Sequence, residues 1–272
     1  MNENIFISIV IPNLNQGKFL SQCIDSILDQ KFNSFEIIII DSYSVDESDK
    51  IIKKYLKKIK KKLIYIRKKC GQAEAINYGF KIAKGKFLAF QAADDYYLKD
   101  AFNKFYSFSK KNNYANIIYG NIEFRNLKNK FLRPLNFNFV NSFSLSYEGM
   151  VVSNQSTIFK KTLLNKYGYI LDMRQSFDLE FWLRLSEEKY FKLDTEKPVA
   201  VFRIHSRQKS KFYNFYDNTL RQIMLENYEK KSYFYFLSKN FLRSISRFCR
   251  FCIHLKKGQF KYIFLYFKKK NF

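Results

Sequence analysis

The first hundred residues alternate between two hydrophobic periods, and that alternation restricts the chain to a small set of folds. Ile5 to Ile11 (IFISIVI) is a short apolar run rich in β-branched residues and closed by Pro12. Glu36 to Ile40 (EIIII), Leu63 to Ile66 and Lys86 to Phe90 repeat the pattern. Runs this short and unbroken read as strands buried on both faces. Between them, Leu20, Cys23, Ile24, Ile27 and Leu28 fall at helical spacing. Ile51, Ile52, Tyr55, Leu56 and Ile59 do the same, followed by Ala73, Ile76, Phe80 and Ala83. Ser44 and Glu47 stand at capping-box spacing ahead of the second stripe. Strand and helix in alternation with short links predict βαβ units and an α/β fold with a mainly parallel sheet.

In such sheets the ligand site lies beyond the carboxyl ends of the strands. The residues at those ends are Pro12 to Asn15, Asp41 to Ser44, Arg67 to Gln72 and Gln91 to Asp95. They are polar or charged and drawn from separate parts of the chain. Asp94 and Asp95 are the sharpest feature, because adjacent carboxylates repel unless a cation neutralises them. Mg²⁺ typically takes one or two carboxylates and completes its shell with water and substrate phosphate. Taken alone, the pair also suits a solvated acidic turn or a helix N-terminus. Further on, the pattern predicts a helix over 99–111, a strand near 117–120, a loop-rich stretch to about Val152 and a strand over 156–159. A helix over 176–187 and a strand over 198–204 follow, and from about Phe215 the chain turns helical, basic and aromatic.

Five segments in this order resemble the family 2 glycosyltransferases of the GT-A fold. SIVIPNLNQGKFLSQCIDSILDQ (Ser8 to Gln30) resembles that family's opening strand, loop and helix, and FEIIIIDSYSVDES (Phe35 to Ser48) its second strand and acidic turn. CGQAEAINYGFKIAKGKFLAFQAADD (Cys70 to Asp95) resembles the stretch up to its metal motif. QSFDLEFWLRL (Gln175 to Leu185) resembles its catalytic-base helix, and PVAVFRIHSRQKS (Pro198 to Ser210) its closing strand with a following His. The resemblance implies a Rossmann-like GT-A catalytic domain over 1–212, with a nucleotide-sugar half to about residue 95 and an acceptor half over 96–212. A helical, basic and aromatic extension covers 213–272.

Roles follow from the resemblance residue by residue. Pro12, Asn13 and Asn15 match the loop lining the base pocket, and Asp41 with Ser42 the acidic turn that contacts the base. Gly71, Gln72, Ala75 and Asn77 match the stretch flanking nucleotide and sugar. Ala93, Asp94 and Asp95 match the end of the acidic motif, where Ala92 replaces its first carboxylate. Asp94, Asp95 and His205 are the implied holders of a divalent metal, Mg²⁺ or Mn²⁺. Asp178, four residues before Trp182, matches the catalytic base; Glu180 is its rival, and Glu180 and Gln155 stand on the acceptor side. The implied reaction moves a sugar from a nucleotide-diphosphate donor, UDP by default, to a hydroxyl of a glycan or lipid-linked glycan, with inversion, in cell-surface glycan synthesis. Ala92 also admits a non-catalytic relative that binds the donor.

A net charge of +25 favours an anionic partner. Nucleic acid fits poorly: no helix-turn-helix, zinc-finger or RNP-type signature is present, and strand-end carboxylates would repel a phosphate backbone. Leu237, Phe241, Ile245, Phe248 and Cys252 recur at helical spacing, with Lys239, Arg243, Arg247 and Arg250 largely elsewhere around the helix. The aromatic run Phe260 to Phe267 and Lys268 to Lys270 continue the theme. Such a helix suits a membrane surface, and it also suits packing on the catalytic domain or a homodimer contact. Cys249 and Cys252 have C-x-x-C spacing without a second pair, which leaves a zinc site or simple thiols. No apolar run reaches a membrane-spanning length and the N-terminus lacks signal-peptide features, so the expected place is the cytoplasm, peripheral to the inner face of the plasma membrane.

Overall fold

The computed structural model describes residues 5–59, 62–138, 140–148, 150–173, 176–206, 208 and 239–256. The apolar runs become strands β1 (Ile7–Asn13), β2 (Phe35–Asp41), β3 (Leu63–Arg67) and β4 (Phe87–Phe90). The stripes between them become helices α1 (Gly17–Leu28), α2 (Ser48–Ile59) and α3 (Gln72–Ile82). Strands β1, β2, β3 and β4 pair in parallel, as the alternation predicts. Every residue of β2 is buried, consistent with cover on both faces.

The chain continues through β5 (Tyr96–Tyr97), α4 (Ala101–Lys111), β6 (Ile117–Tyr119), β7 (Ile122–Asn126), β8 (Phe131–Leu135) and α5 (Ser142–Glu148). A 3-10 turn (Asn154–Ser156) leads into β9 (Thr157–Lys160), followed by α6 (Leu163–Tyr167) and α7 (Phe177–Arg184). Strands β10 (Tyr190–Lys192) and β11 (Ala200–Ile204) and helix α8 (Lys239–Lys256) complete the described order. One sheet has seven strands in the order β10-β6-β9-β4-β1-β2-β3, in which β9 alone runs against its neighbours. A second sheet has the order β5-β11-β7-β8. The stretch expected to be loop-rich therefore holds two strands and a helix. Strands β7 and β8 are half-exposed, and Pro134 sits on the edge strand, so neither carries a period-two signal strong enough to read.

One further expectation changes. Ser44 does not cap α2; its hydroxyl bonds Asp41, and Asp46 receives the Ser48 N–H at the helix start. The aromatic face of α8 is not its packing face. Leu242 and Ser246 are buried and Arg243 donates to the Tyr147 carbonyl of α5, whereas Phe241, Phe248, Cys252 and Leu255 are exposed. Leu237, Phe260 to Phe267 and Lys268 to Lys270 lie outside the described residues. Among those described, no helix is long and apolar enough to cross a membrane.

A polar clasp sets the register opposite the site. Ser8 Oγ donates to Glu36 Oε1 at 2.6 Å, Lys84 N–H donates to the same oxygen at 2.6 Å, and Gly85 N–H donates to Ser8 Oγ at 2.7 Å. A Cβ at position 85 would stand 2.5 Å from the Ser8 nitrogen, which is backbone and cannot yield. Gly85→Ala is therefore expected to destabilise the fold by about 1–3 kcal/mol, the range of overpacking. Urea denaturation checks it, and an unchanged midpoint would contradict the close approach.

Candidate active site

The carboxyl ends of β1 and β2 meet in a buried network. Asn13 and Asp41 pair in register, and Asn13 Nδ2 donates to Asp41 Oδ1 at 2.7 Å. Ser44 donates to Asp41 through its backbone N–H, 3.0 Å, and its hydroxyl, 2.5 Å. Arg67, at the end of β3, places Nε 3.5 Å from Asp41 Oδ2 and stacks over Tyr43. Asp41 thus has its charge balanced while wholly buried. Among the described residues, buried Asn13 Oδ1 meets no hydrogen-bond donor. Asn15 holds the loop through its N–H to Ser44 Oγ and its Oδ1 from Val45 N–H, and Ser42 exchanges hydrogen bonds with the Cys70 backbone.

Beyond β4 the two adjacent carboxylates face different ways. Asp95 is buried and turned inward. Its Oδ1 accepts the Arg203 N–H of β11 at 2.7 Å, and its Oδ2 accepts Gln155 Nε2 at 2.6 Å. Burial, and then the neighbouring Asp94 charge, hold the Asp95 carboxyl well above the usual carboxylate range against these two hydrogen bonds. Asp94 is partly exposed, and its Oδ2 lies 2.9 Å from His205 Nε2. The His205 ring packs on Phe19 of α1. Arg203 lies between the rings of Phe19 and Tyr96 and donates to Gln22 Oε1 at 2.7 Å. Of the three residues expected to hold a metal, the fold brings Asp94 and His205 into contact and commits Asp95 to protein donors. Among the described residues, no three His, Cys, Asp or Glu side chains gather as a metal set.

The third component is Asp178, in the first turn of α7. It is partly buried, and desolvation raises its pKa against hydrogen bonds from Asn154 Nδ2, 3.0 Å, and the Leu179 N–H, 2.9 Å. Asn154 belongs to the same short turn as Gln155, so one piece of backbone reaches both Asp178 and Asp95. Glu180 is buried, but its two oxygens engage the Arg184 guanidinium at 2.6 and 2.8 Å. That pairing fastens α7 to the carbonyls of Tyr167 and Tyr169.

Other expected site residues take positions the sequence does not reveal. Gly71 is the N-cap of α3 and Gln72 its first residue, beside Ser42 and Cys70. Ala75 and Ala93 are buried, and Pro12 is half-buried beside Asn13. Asn77 clamps the Ile170 backbone, donating to its carbonyl at 2.7 Å and accepting its N–H at 3.0 Å. Reasoning from the sequence missed Ser44 as an Asp41 partner, Arg203 behind the acidic pair, and Asn154 beside Asp178. An Arg inside an otherwise apolar strand, VFRI, was the one legible signal among these.

Comparison with known proteins bears on the family and the fold. The family model described as Glycosyl transferase family 2 matches residues 8–168. An uncharacterized glycosyltransferase of Haemophilus influenzae is 30% identical over 208 residues, covering 76% of this chain and 78% of the relative. Among solved structures, S. aureus TarS 1-349 in complex with UDP-GlcNAc superposes with a TM-score of 0.67 at 17% identity, over 88% of this chain and 69% of that one. The chain spans 37% of a longer TarS structure. The mannosyltransferase PcManGT from Pyrobaculum calidifontis, solved with GDP-Man and Mn²⁺, gives a TM-score of 0.56 at 13% identity, over 90% of this chain and 73% of that one. At these identities the two structures speak for the fold.

The partial burial of Asp178 has a consequence for stability. Between the ordinary carboxylate pKa, about 3.9, and the raised folded value, the folded chain holds a proton that the unfolded chain has lost. Stability therefore falls as pH rises through that window, and the partly buried charge is a standing cost at neutral pH. Asp178→Asn is expected to raise the Tm at pH 7 by about 2–4 °C for each kcal/mol recovered and to flatten the pH dependence above the ordinary carboxylate value. A Tm at or below that of the wild type at pH 7 would contradict the burial argument.

Proposed function

The chain belongs to glycosyl transferase family 2, and on that premise we propose that it transfers a sugar from a UDP-sugar to a hydroxyl of a glycan or lipid-linked glycan, with inversion at the anomeric carbon. The observation that carries this reading is the pairing of two differently placed acidic centres through one turn. The turn bonds Asp178, on the proposed acceptor side, through Asn154, and Asp95, neighbour of the proposed donor-side Asp94, through Gln155. The base would enter at the ends of β1 and β2, beside the Asn13–Asp41–Ser44 network. The UDP-GlcNAc complex of the structurally similar TarS favours the same donor class.

In the proposed reaction the acceptor oxygen attacks the anomeric carbon while the bond from that carbon to the diphosphate oxygen breaks. The acceptor proton passes to the Asp178 carboxylate, whose partly buried setting raises its basicity. Alignment of donor and acceptor contributes further, because both acidic centres are held by rigid backbone. A carboxylate oxygen of Asp94 and Nε2 of His205 fit a divalent cation, Mg²⁺ or Mn²⁺, that fills its shell with water and phosphate oxygens. Bound there, such an ion neutralises charge on the leaving diphosphate. Asp95 is committed to Gln155 and Arg203, and Ala92 stands where the family's motif has a first carboxylate.

The extension supplies the place of action in this proposal. Helix α8 carries Arg243, Arg247, Arg250 and Lys256 and no acidic residue, while its outward side shows Phe248, Cys252 and Leu255. Aromatic insertion with basic flanks suits an anionic inner-membrane surface. Phe248→Ser combined with Leu255→Ser is expected to abolish most co-sedimentation with phosphatidylglycerol-containing vesicles. Retention equal to wild type would remove the membrane assignment.

The donor is tested by thermal shift. A UDP-sugar at about 100 times its Kd is expected to add about 2.7 kcal/mol of stability, and Mn²⁺ to enlarge the shift. Stabilisation by GDP- or dTDP-sugars alone would overturn the uridine assignment, and no shift with any nucleotide-sugar would overturn the donor site.

A further inference from the structure

Trp182 follows Asp178 by four residues on α7, so the two side chains lie on one face of the helix. Both reach the same residue. Trp182 Nε1–H donates to Asn154 Oδ1 at 2.6 Å, and Asn154 Nδ2 donates to Asp178 Oδ2 at 3.0 Å. Chemistry fixes the direction of this chain. An indole N–H only donates, so the Asn154 oxygen must face Trp182, and the NH₂ group is left to face the carboxylate. Trp182 is itself held in the core against Phe90, Phe159 and Phe181, so the amide orientation rests on a rigid support.

The turn that carries Asn154 is equally fixed. Ser156 Oγ donates to the Gly120 carbonyl at 2.8 Å, Thr157 Oγ1 donates to the Ser153 carbonyl at 2.7 Å, and Gln155 Nε2 donates to Asp95. We propose that Asn154 is a positioning residue for the base Asp178, with Trp182 setting its amide and the Gln155 contact setting the distance from the donor-side carboxylates. This rests on the reading of Asp178 as the base. Asn154 touches neither donor nor acceptor in the proposal; it orients the carboxylate and keeps its ionised form available inside a partly buried site. A hydrogen bond offered to the charged form favours that form. The charged groups on the elements packed around Asp178 are Asp95 through Gln155, the Glu180–Arg184 pair and Glu187 beyond α7, and Glu148 of α5.

The test uses the full chain and hydrolysis of the UDP-sugar that binds best in the thermal-shift panel, with water in the acceptor's place. Asn154→Ala is expected to lower kcat about tenfold or more while leaving the donor KM unchanged. The acid limb of the kcat profile should move up by about one pH unit, because the charged form loses a donor. Asn154→Asp is nearly isosteric and still accepts the Trp182 N–H, so it preserves packing; its second carboxylate should push the limb higher again. Wild-type kcat in both variants, or a lower kcat with the acid limb unmoved, would overturn the proposal. Asp178→Asn separates this result from the premise. If that variant hydrolyses donor normally, the base assignment fails; if it is inactive while the Asn154 variants keep the wild-type limb, only the positioning role fails.

Discussion

Asp95 has both carboxylate oxygens committed to protein donors, and those two hydrogen bonds join the parts of the molecule that make the site. It follows β4 of the seven-stranded sheet, accepts the Arg203 N–H from β11 of the second sheet, and accepts Gln155 from the turn that enters β9. Those hydrogen bonds reduce, without cancelling, the penalty of placing a carboxylate where no solvent reaches it, and the Asp95 carboxyl stays well above the usual carboxylate range. Because Asp95 is fastened inward, Asp94 is carried outward toward His205. Because Gln155 is fastened to Asp95, Asn154 stands beside Asp178. On the proposed reading, the donor-side and acceptor-side groups are thus tied through one buried carboxyl.

The parallel half of the fold was legible because its strands and helices carry unmixed periods. IFISIVI, EIIII and KFLAF have no reading other than buried strand, and the intervening stripes have helical spacing. Strand ends then locate the site by topology. The second sheet was hidden by its brevity: β5 has two residues, and β7 and β8 are half-exposed with Pro134 among them. Adjacent carboxylates posed a different problem. Which member of Asp94-Asp95 faces inward depends on donors at Gln155 and Arg203, both far along the chain. No local pattern contains that information. The same holds for Ser44, whose capping-box spacing was outweighed by a nearby buried Asp41 that needed its hydroxyl.

Asp41 and Asp95 are buried carboxylates and Asp178 is a partly buried one, and all three face the same electrostatic problem. Asp41 is balanced by Arg67 and several donors, Asp95 by two hydrogen bonds that tie sheets together, and Asp178 by a single side-chain amide and one N–H. Asp95 and Asp178 are thus held alike, each by one side-chain amide and one backbone N–H, and desolvation raises the proton affinity of both. What differs is exposure: Asp95 is enclosed, whereas Asp178 stays partly open, which suits the proposed base. Glu180, the rival from the sequence, is set apart because Arg184 occupies both its oxygens.

The central claim is that Asp178 acts in the chemical step and not in holding the donor. The direct measurement pairs the equilibrium Kd for the UDP-sugar with the rate of UDP release, in wild type and Asp178→Asn. The account predicts an unchanged Kd and a rate lower by about 10²-fold or more, the usual contribution of a positioned general base. UDP release at the wild-type rate, with donor binding intact, would contradict it.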